Sequence, residues 1–458
     1  MSAQPRPVVN APSDWTFPIP DRHQLDNGLT LITYDLPGQY VLSMRLGLPV
    51  SLRDEPPARE GVATIMARCL DEGTEQHTAE EFARLLERKG VSFGAGISEL
   101  GLFLDVEVVT GNLDPALDLF RQILTEPAFP ASEVARQVRS RLSDIEQERA
   151  VAGHRAMIEF LATFQAADDR ASRPSGGTRE TVAAIDREDV VAFHRDHIVA
   201  SGTTLVVAGD LTGLDVGASV EQALGGWRSG PERPPVLDES ARLASDRARI
   251  VFVDRPGSVQ TEFIIGAPGP DRSVAGGWAP HPVLGFVVGG SPNARIDAVL
   301  REDKGYTYGI RAGFRPRRTG GLFTTAGSVR ADSTGESLRL LIEILDGASD
   351  GFTDAEVRSG VDFISKTAPG RYATADAIAD EAVAMALDGR TTAFTTDNLR
   401  DLATVDAARA NEAWARFVEE AGIGPAAAGW TIIVVGDAAE HLAQIEGLGL
   451  GPVTVVRD

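Results

Sequence analysis

The segment from Arg301 to Gly309 carries the residues of this chain that are best suited to chemistry. It contains a guanidinium at Arg301 and two phenols, at Tyr306 and Tyr308, and all three groups are hydrogen-bond donors. A similar segment with the same Lys-Gly pair places apolar residues at the matching positions: Leu86, Val91 and Phe93. The two copies of this segment therefore differ where a reactive group could stand.

The rest of the chain repeats in the same order. Three further pairs of matching segments are residues 35–37 and 254–256, residues 47–49 and 266–268, and residues 205–210 and 432–437. A period of about 220 residues is too long for a solenoid unit, and it indicates two domains of one fold. The 458 residues suffice for two or three such cores.

We place the N-terminal domain at residues 1–228, a linker at 229–245 and the C-terminal domain at 246–458. Residues 229–235 are rich in proline and glycine, which resist helix and strand formation. The hydrophobic pattern of the first half predicts strands at residues 29–34, 41–47 and 102–109, and helices at residues 60–70, 79–89, 113–124 and 132–149, with Ser132 as a helix N-cap. Strands grouped around long helices indicate an α+β fold of two tandem homologous α/β sandwich domains that arose by internal duplication.

Composition excludes several classes of function. The net charge of −22 argues against nucleic acid, whose phosphates require lysine and arginine, whereas an acidic cavity would favour basic peptides. Cys69 is the single cysteine, so an internal disulfide and a cysteine-based zinc cage are excluded. No apolar run reaches the roughly 20 residues of a membrane-spanning helix. The first ten residues resemble neither a signal peptide nor a mitochondrial presequence, and a cytoplasmic location is predicted.

In its order of elements, the chain resembles the pitrilysin (insulinase) family of zinc peptidases over nearly its whole length. Residues 25–30 resemble that family's opening strand. Residues 61–63 and 72–74 resemble the frame around its inverted zinc motif, H-x-x-E-H. In that motif two histidines one helical turn apart bind Zn²⁺, and the glutamate between them acts as the general base.

The residues at the motif positions do not suit zinc. They are Thr64, Ala67 and Arg68: a poor ligand, a residue that takes no proton, and a permanent positive charge. The family's further acidic ligand, some 75 residues on, corresponds to Asp144 or Glu146, and the sequence does not decide between them. We therefore expect no zinc in this chain, and the resemblance implies that zinc is bound by a partner subunit.

The resemblance also assigns roles in the second half. The seven-residue spacing of Arg301 and Tyr308 matches the family's arginine–tyrosine segment, in which the phenol donates to the oxyanion and the guanidinium binds the substrate carbonyl. Tyr306 competes for the phenol role. In a purely structural interpretation Arg301 pairs with a nearby acid and Tyr308 is a strand aromatic. Gly289 and Gly290 resemble a substrate-binding glycine loop, although a plain turn fits them as well.

No other catalytic constellation stands out. His194 and His197 are spaced like metal ligands, but no third ligand is identifiable, and a helix end with packed or solvated histidines explains them better. There is no G-x-S-x-G motif for a serine nucleophile.

The resemblance implies the zinc-free subunit of a heterodimeric metallopeptidase, inactive alone. It would complete the active site of a homologous H-x-x-E-H subunit and act on peptides, without a nucleic-acid or membrane partner. The alternatives are a non-catalytic scaffold or assembly subunit, as in the respiratory-complex core proteins of this family, and a peptide-binding protein.

Overall fold

The structure is a computed structural model that describes residues 15–231 and 241–457. Residues 232–240 of the predicted linker lie outside the described residues. Two six-stranded mixed sheets form the centres of the two halves. The expected α+β fold with two homologous sandwich domains is confirmed, whereas the residue-level domain boundaries stay a prediction.

The first half alternates strands and helices in this order: β1 (Asp21–Gln24), β2 (Thr30–Asp35), β3 (Val41–Leu48), α1 (Val62–Cys69), α2 (Ala79–Lys89), β4 (Ser92–Ser98), β5 (Gly101–Val109), α3 (Leu113–Thr125), α4 (Ala131–Ala150), α5 (Ala152–Phe164), α6 (Arg179–Ala183), α7 (Arg187–His197), β6 (Thr204–Gly209) and α8 (Val216–Leu224).

The second half contains β7 (Ile250–Asp254), β8 (Gln260–Gly269), α9 (Pro280–Gly285), α10 (Arg295–Asp297), β9 (Arg311–Pro316), β10 (Gly321–Arg330), α11 (Thr334–Gly347), α12 (Asp354–Arg371), α13 (Ala375–Leu387), α14 (Ala393–Leu402), α15 (Ala407–Ala421), β11 (Thr431–Gly436), α16 (Ala438–Gly447) and β12 (Val453–Arg457). Two π-helical turns, Phe286–Gly290 and Ala298–Asp303, extend α9 and α10.

The strand orders show the duplication directly. They are β1-β2-β6-β3-β5-β4 in the first sheet and β12-β7-β11-β8-β10-β9 in the second. Five neighbouring strands correspond one to one, and only the outer strand differs: β1 is antiparallel to β2, whereas β12 is parallel to β7. The repeat seen in the sequence is thus a repeat of sheet topology.

The two halves exchange a helix. Helix α5 of the first half packs on β8 and β11 of the second sheet, and α13 of the second half packs on β3 and β6 of the first. Phe160 and Phe164 of α5 are fully buried against apolar residues of the second sheet. Each sheet therefore has its own helices on one face and a helix from the other half on the opposite face.

The repeated glycines Gly47 and Gly266 have a role in this exchange. A Cβ at Gly47 would lie 2.6 Å from Val383 on α13, and a Cβ at Gly266 would lie 2.5 Å from the Phe160 ring on α5. Real side chains do not approach so closely, so glycine at both positions lets the exchanged helix sit against the sheet.

Most predicted elements of the first half are present, with small shifts at their ends. Helix α2 has the predicted bounds, and its N-cap Thr78 forms a capping box with Glu81. The prediction of Ser132 as an N-cap is wrong, because α4 already begins at Ala131 after Pro130. The sequence analysis did not predict β4.

Candidate functional site

Helix α1, which carries the three substituted motif positions, is held at its N-terminus by a buried carboxylate. Oε1 of Glu55 accepts hydrogen bonds from the backbone N–H groups of Gly61 and Ala63, at 3.0 and 3.1 Å. Its Oε2 pairs with the guanidinium of Arg170 at 2.9 Å, and both side chains are buried. A carboxylate here satisfies N–H groups that a helix start leaves free and suits the helix dipole.

Arg68, which stands where the zinc motif has its second histidine, forms an ion pair with a residue of α4. Its Nη1 lies 2.7 Å from Oδ2 of Asp144. Of the two acids left open by the sequence, the structure brings Asp144 to α1, whereas Glu146 pairs with Arg179 on the surface. The guanidinium of Arg68 thus faces Asp144 at the place where the zinc motif of the family would hold Zn²⁺.

This donor set does not fit catalytic zinc. Thr64 offers only a hydroxyl, Ala67 has no polar side chain, and Arg68 repels a cation. Within residues 15–231 and 241–457, no three His, Cys, Asp or Glu side chains are grouped as a metal site requires. These residues therefore offer no support for a metal-centred step in this chain.

A cleft of about 290 Å³ remains beside α1, and Thr64, Ala67 and Arg68 lie on its wall. Glu148, which the sequence analysis missed, lines the same cleft and is paired with Arg141, with 3.0 Å between Nη2 and Oε2. Arg141 is buried and also donates from Nε to the carbonyl of Gly176. Because Arg141 and Glu148 neutralise each other, this pair offers the cleft neither a free acid nor a free base.

Of the predicted pair, Arg301 lies in the π-helical turn that extends α10, and Tyr308 lies in the connection from that turn to β9. Arg301 is 39% exposed, and its Nε lies 3.4 Å from Oε1 of the neighbouring Glu302. The Tyr308 side chain is 94% exposed, and among the described residues none forms a hydrogen bond with its hydroxyl. Because β9 begins only at Arg311, Tyr308 is not a strand aromatic, and the structural interpretation of this residue is wrong.

Tyr306, the competing phenol, is already engaged. Its hydroxyl donates to Oε2 of Glu336 at 2.7 Å, and this hydrogen bond raises the pKa of Tyr306. Its ring packs against the core of the second half. The structure thus favours Tyr308 over Tyr306 as the available phenol.

The backbone on both sides of Tyr308 is fixed. The Thr307 hydroxyl donates to the carbonyl of Ser328 at 2.7 Å, and the N–H of Ile310 donates to Asp297 at 3.1 Å. Asp297 is fully buried and also pairs with Arg311 at 2.7 Å. Tyr308 is therefore an exposed side chain on an anchored connection, which limits the directions in which its phenol can point.

Gly289 and Gly290 lie in the π-helical turn that follows α9, not in a loop. A Cβ at Gly289 would lie 2.7 Å from the backbone nitrogen of Ala312 on β9, so close packing alone requires glycine there. Gly290 is exposed at the end of the turn. The proposed substrate-binding role of both glycines stays a prediction.

The histidine pair on α7 is engaged in packing. Nε2 of His194 lies 3.0 Å from the carbonyl oxygen of Leu124, and burial lowers the pKa of His194 to about 4. His197 packs on Phe193 and lies 3.5 Å from Asp54. These contacts match the expectation of packed histidines at a helix end.

Two family models and several known proteins match this chain. Residues 43–170 match the family described as "Insulinase (Peptidase family M16)", and residues 184–362 match "Peptidase M16 inactive domain". An uncharacterized zinc protease of Streptomyces coelicolor is 24% identical over 346 residues, which cover 74% of each chain. A Helicobacter pylori protein named "Non-peptidase homolog YmxG" is 23% identical over 250 residues, which cover 55% of this chain and 56% of that protein.

Two crystal structures share the fold. A peptidase M16 inactive domain from Pseudomonas fluorescens superposes with a TM-score of 0.81 at 21% identity and covers 92% of this chain and 98% of its own. A protease from Helicobacter pylori superposes with a TM-score of 0.79 at 13% identity, covering 92% and 100%. Across the described ranges, no helix is both long and apolar enough to cross a bilayer.

Proposed function

The chain belongs to peptidase family M16, the insulinase family, and from this premise we propose that it is the zinc-free subunit of a two-subunit peptidase. A homologous subunit that carries H-x-x-E-H would supply the metal and the general base. This chain would supply Tyr308 and Arg301 and one wall of the chamber that encloses the peptide. A cytoplasmic location belongs to the same proposal.

The observation that carries the proposal is the exposure of Tyr308. A phenol that is 94% exposed contributes little to packing in this chain, so its hydroxyl is available to a group outside its own domain. The nearby residues Thr307 and Ile310 are hydrogen-bonded to the fold, so the backbone that carries the exposed ring is fixed. An exposed but anchored donor suits a group that meets substrate from outside its own domain.

In the proposed complex this chain contributes two hydrogen-bond donors. The phenol of Tyr308 donates to the oxygen that becomes negative when the peptide carbonyl is attacked. The guanidinium of Arg301 binds the substrate carbonyl beside it and orients the peptide. The weak contact of Arg301 with Glu302, at 3.4 Å between exposed side chains, leaves this guanidinium free to change partner, because exposed ion pairs contribute little.

The absence of zinc from this chain is part of the proposal. It is supported by the chemistry of Thr64, Ala67 and Arg68 and by the Arg68–Asp144 ion pair, which places a fixed cation at the acid. Elemental analysis of the purified chain should find no stoichiometric zinc. A tightly held, stoichiometric zinc in the chain alone would contradict it.

The test of function is purification of the tagged chain from its own cells, followed by reconstitution. We expect a homologous subunit with H-x-x-E-H to co-purify, and peptide cleavage to require both subunits. Cleavage by this chain alone would contradict the proposal. Stable co-purification with proteins that lack H-x-x-E-H, without peptidase activity, would instead favour the scaffold.

A further inference from the structure

A second cavity, of about 380 Å³, lies where the β9–β10 connection of the second half meets the first half. We call it the arginine cavity, because five arginines line it: Arg53, Arg170, Arg173, Arg317 and Arg318. Such a cluster is unexpected in a chain with a net charge of −22. The expectation that an acidic cavity would favour basic peptides does not apply to this cavity, because arginines line it.

Four of the five guanidiniums are neutralised by a carboxylate. Arg53 pairs with Asp169 at 3.1 Å, Arg170 with Glu55 at 2.9 Å, Arg173 with Glu60 at 2.7 Å, and Arg317 with Glu99 at 2.8 Å. The last of these joins the two halves across the cavity, since Glu99 follows β4 and Arg317 follows β9. These four ion pairs form part of the cavity wall, and the charges of their arginines are balanced.

Arg318 differs from the other four. Its Nη1 is buried without a hydrogen-bond partner, and among the described residues no carboxylate pairs with its guanidinium. A buried donor without an acceptor costs free energy, and native structures that contain one usually satisfy it with water, an ion or a ligand. Arg318 is therefore the one arginine of the cavity wall without a carboxylate partner among the described residues, and one of its donors lacks an acceptor.

The remaining wall is largely apolar, with Ser98 and Ser175 as polar residues. It includes four aliphatic side chains: Leu52, Ile97, Leu100 and Leu161. The volume falls in the range of small-ligand pockets, in which apolar walls and a few placed polar groups are the rule. A guanidinium presents donors in a planar fork that matches a carboxylate. The cavity thus suits a carboxylate that is joined to aliphatic groups.

We propose that the arginine cavity binds a peptide carboxylate through Arg318, either an acidic side chain flanked by aliphatic residues or a free C-terminus. This goes beyond the proposed function, because it assigns a binding site to the chain itself and does not depend on Tyr308, Arg301 or a zinc-bearing partner.

The test measures fluorescence anisotropy of rhodamine-labelled peptides with the full chain alone. Three peptides have the same valine-rich frame: a central glutamate with an amidated C-terminus, a central glutamine with an amidated C-terminus, and a central glutamine with a free C-terminus. We expect at least one carboxylate-bearing peptide to bind about tenfold more tightly than the neutral one, the scale of a charge-assisted hydrogen bond. Which peptide does so identifies the source of the carboxylate.

Arg318→Gln should remove this preference, and Arg318→Lys should retain part of it, since the charge remains while the fork is lost. Arg315→Gln is the matched control. This substitution removes the same charge, but Arg315 is exposed on β9 and does not line the cavity. This variant should bind like the wild type. Equal binding of all three peptides, or an unchanged preference in a folded Arg318→Gln chain, would overturn the proposal.

Discussion

The two copies of the Lys-Gly segment start alike and then diverge. In both, a helix ends at a glycine in the left-handed conformation, Gly90 with φ 62° and Gly305 with φ 65°. In the first copy β4 follows at once, from Ser92, and Leu86 and Val91 are only 8% exposed. In the second copy β9 begins only at Arg311, and the residues before it remain outside the sheet.

This difference separates stabilising a domain from presenting groups to a ligand. The first copy places apolar side chains in the core, where each removes apolar surface from water. The second copy places Arg301 and Tyr308 on the surface at the corresponding positions. One ancestral turn thus supports packing in one half and an exposed pair of donors in the other.

The largest expected effect concerns the independence of the two halves, because each half packs a helix on the sheet of the other. Either half expressed alone would leave one face of its sheet without α5 or α13, so we expect an isolated half to be insoluble or unfolded. A chain cut at a protease site inserted between Ser229 and Pro235 should elute as one particle in native gel filtration. Two halves that fold separately and elute apart would contradict this.

The start of α1 gives the next largest effect. Glu55→Ala leaves Arg170 buried without its partner and frees two helix N–H groups, so the free energy of unfolding should fall by about 3–5 kcal/mol. In the second half, the start of α9 shows no side-chain cap among the described residues, and its Pro280 and Pro282 have no N–H to satisfy. Chemical denaturation measures the change.

Glu80→Ala is the control for that experiment. Glu80 pairs with Arg84 on the exposed face of α2, and its loss should be nearly silent. If Glu55→Ala were equally silent, the buried ion pair would not hold α1 in place.

Matched substitutions in the two copies of the Lys-Gly segment test whether the first copy stabilises its domain more than the second. Leu86→Ala opens a space in the core and should lower the free energy of unfolding by about 2–5 kcal/mol. Arg301→Ala, at the corresponding position, should change stability by less than about 0.5 kcal/mol. Denaturant titrations of both variants decide this, and equal losses would mean that Arg301 serves packing.

One histidine in each half should give a smaller, pH-dependent effect on stability. Burial lowers the pKa of His194 and of His281 to about 4 each, from 6.5. The unfolded chain therefore binds protons that the folded chain does not, and stability falls as the pH drops from 6.5 towards 4. Each histidine should contribute on the order of 2 kcal/mol to this loss.

His194→Asn and His281→Asn should each flatten the acid limb of a stability–pH curve. Stability at neutral pH changes for packing reasons, so the slope between pH 6.5 and 4, and not the absolute value, is the readout. A slope that is the same as that of the wild type would show that these histidines do not control acid stability.

The repeat and the fold class could be predicted because matching turns and apolar runs are local features of the sequence. Strand β4 was missed because Gly94 and Gly96 interrupt its alternation. The helix exchange was missed because it joins residues more than a hundred positions apart, such as Gly266 and Phe160, and no local pattern reports such contacts.

The candidate site could be predicted only in part. The identities of Thr64, Ala67 and Arg68 predict that this chain binds no zinc, but only the structure selects Asp144 over Glu146 as the partner of Arg68. The exposure of Tyr308 and the engagement of Tyr306 with Glu336 depend on where β9 begins, which the alternation of residues did not reveal. The arginine cavity draws on segments from both halves and has no sequence signature.

The central claim is that the second copy presents Tyr308 to a peptide in a partner's active site. Tyr308→Phe removes one hydroxyl and keeps the ring, and Tyr306→Phe is the matched control. In a complex reconstituted with the zinc-bearing subunit, Tyr308→Phe should lower kcat on the order of 10²-fold with little change in KM, while Tyr306→Phe is nearly silent. Wild-type kcat for Tyr308→Phe in an intact complex would contradict the account and leave the chain a scaffold.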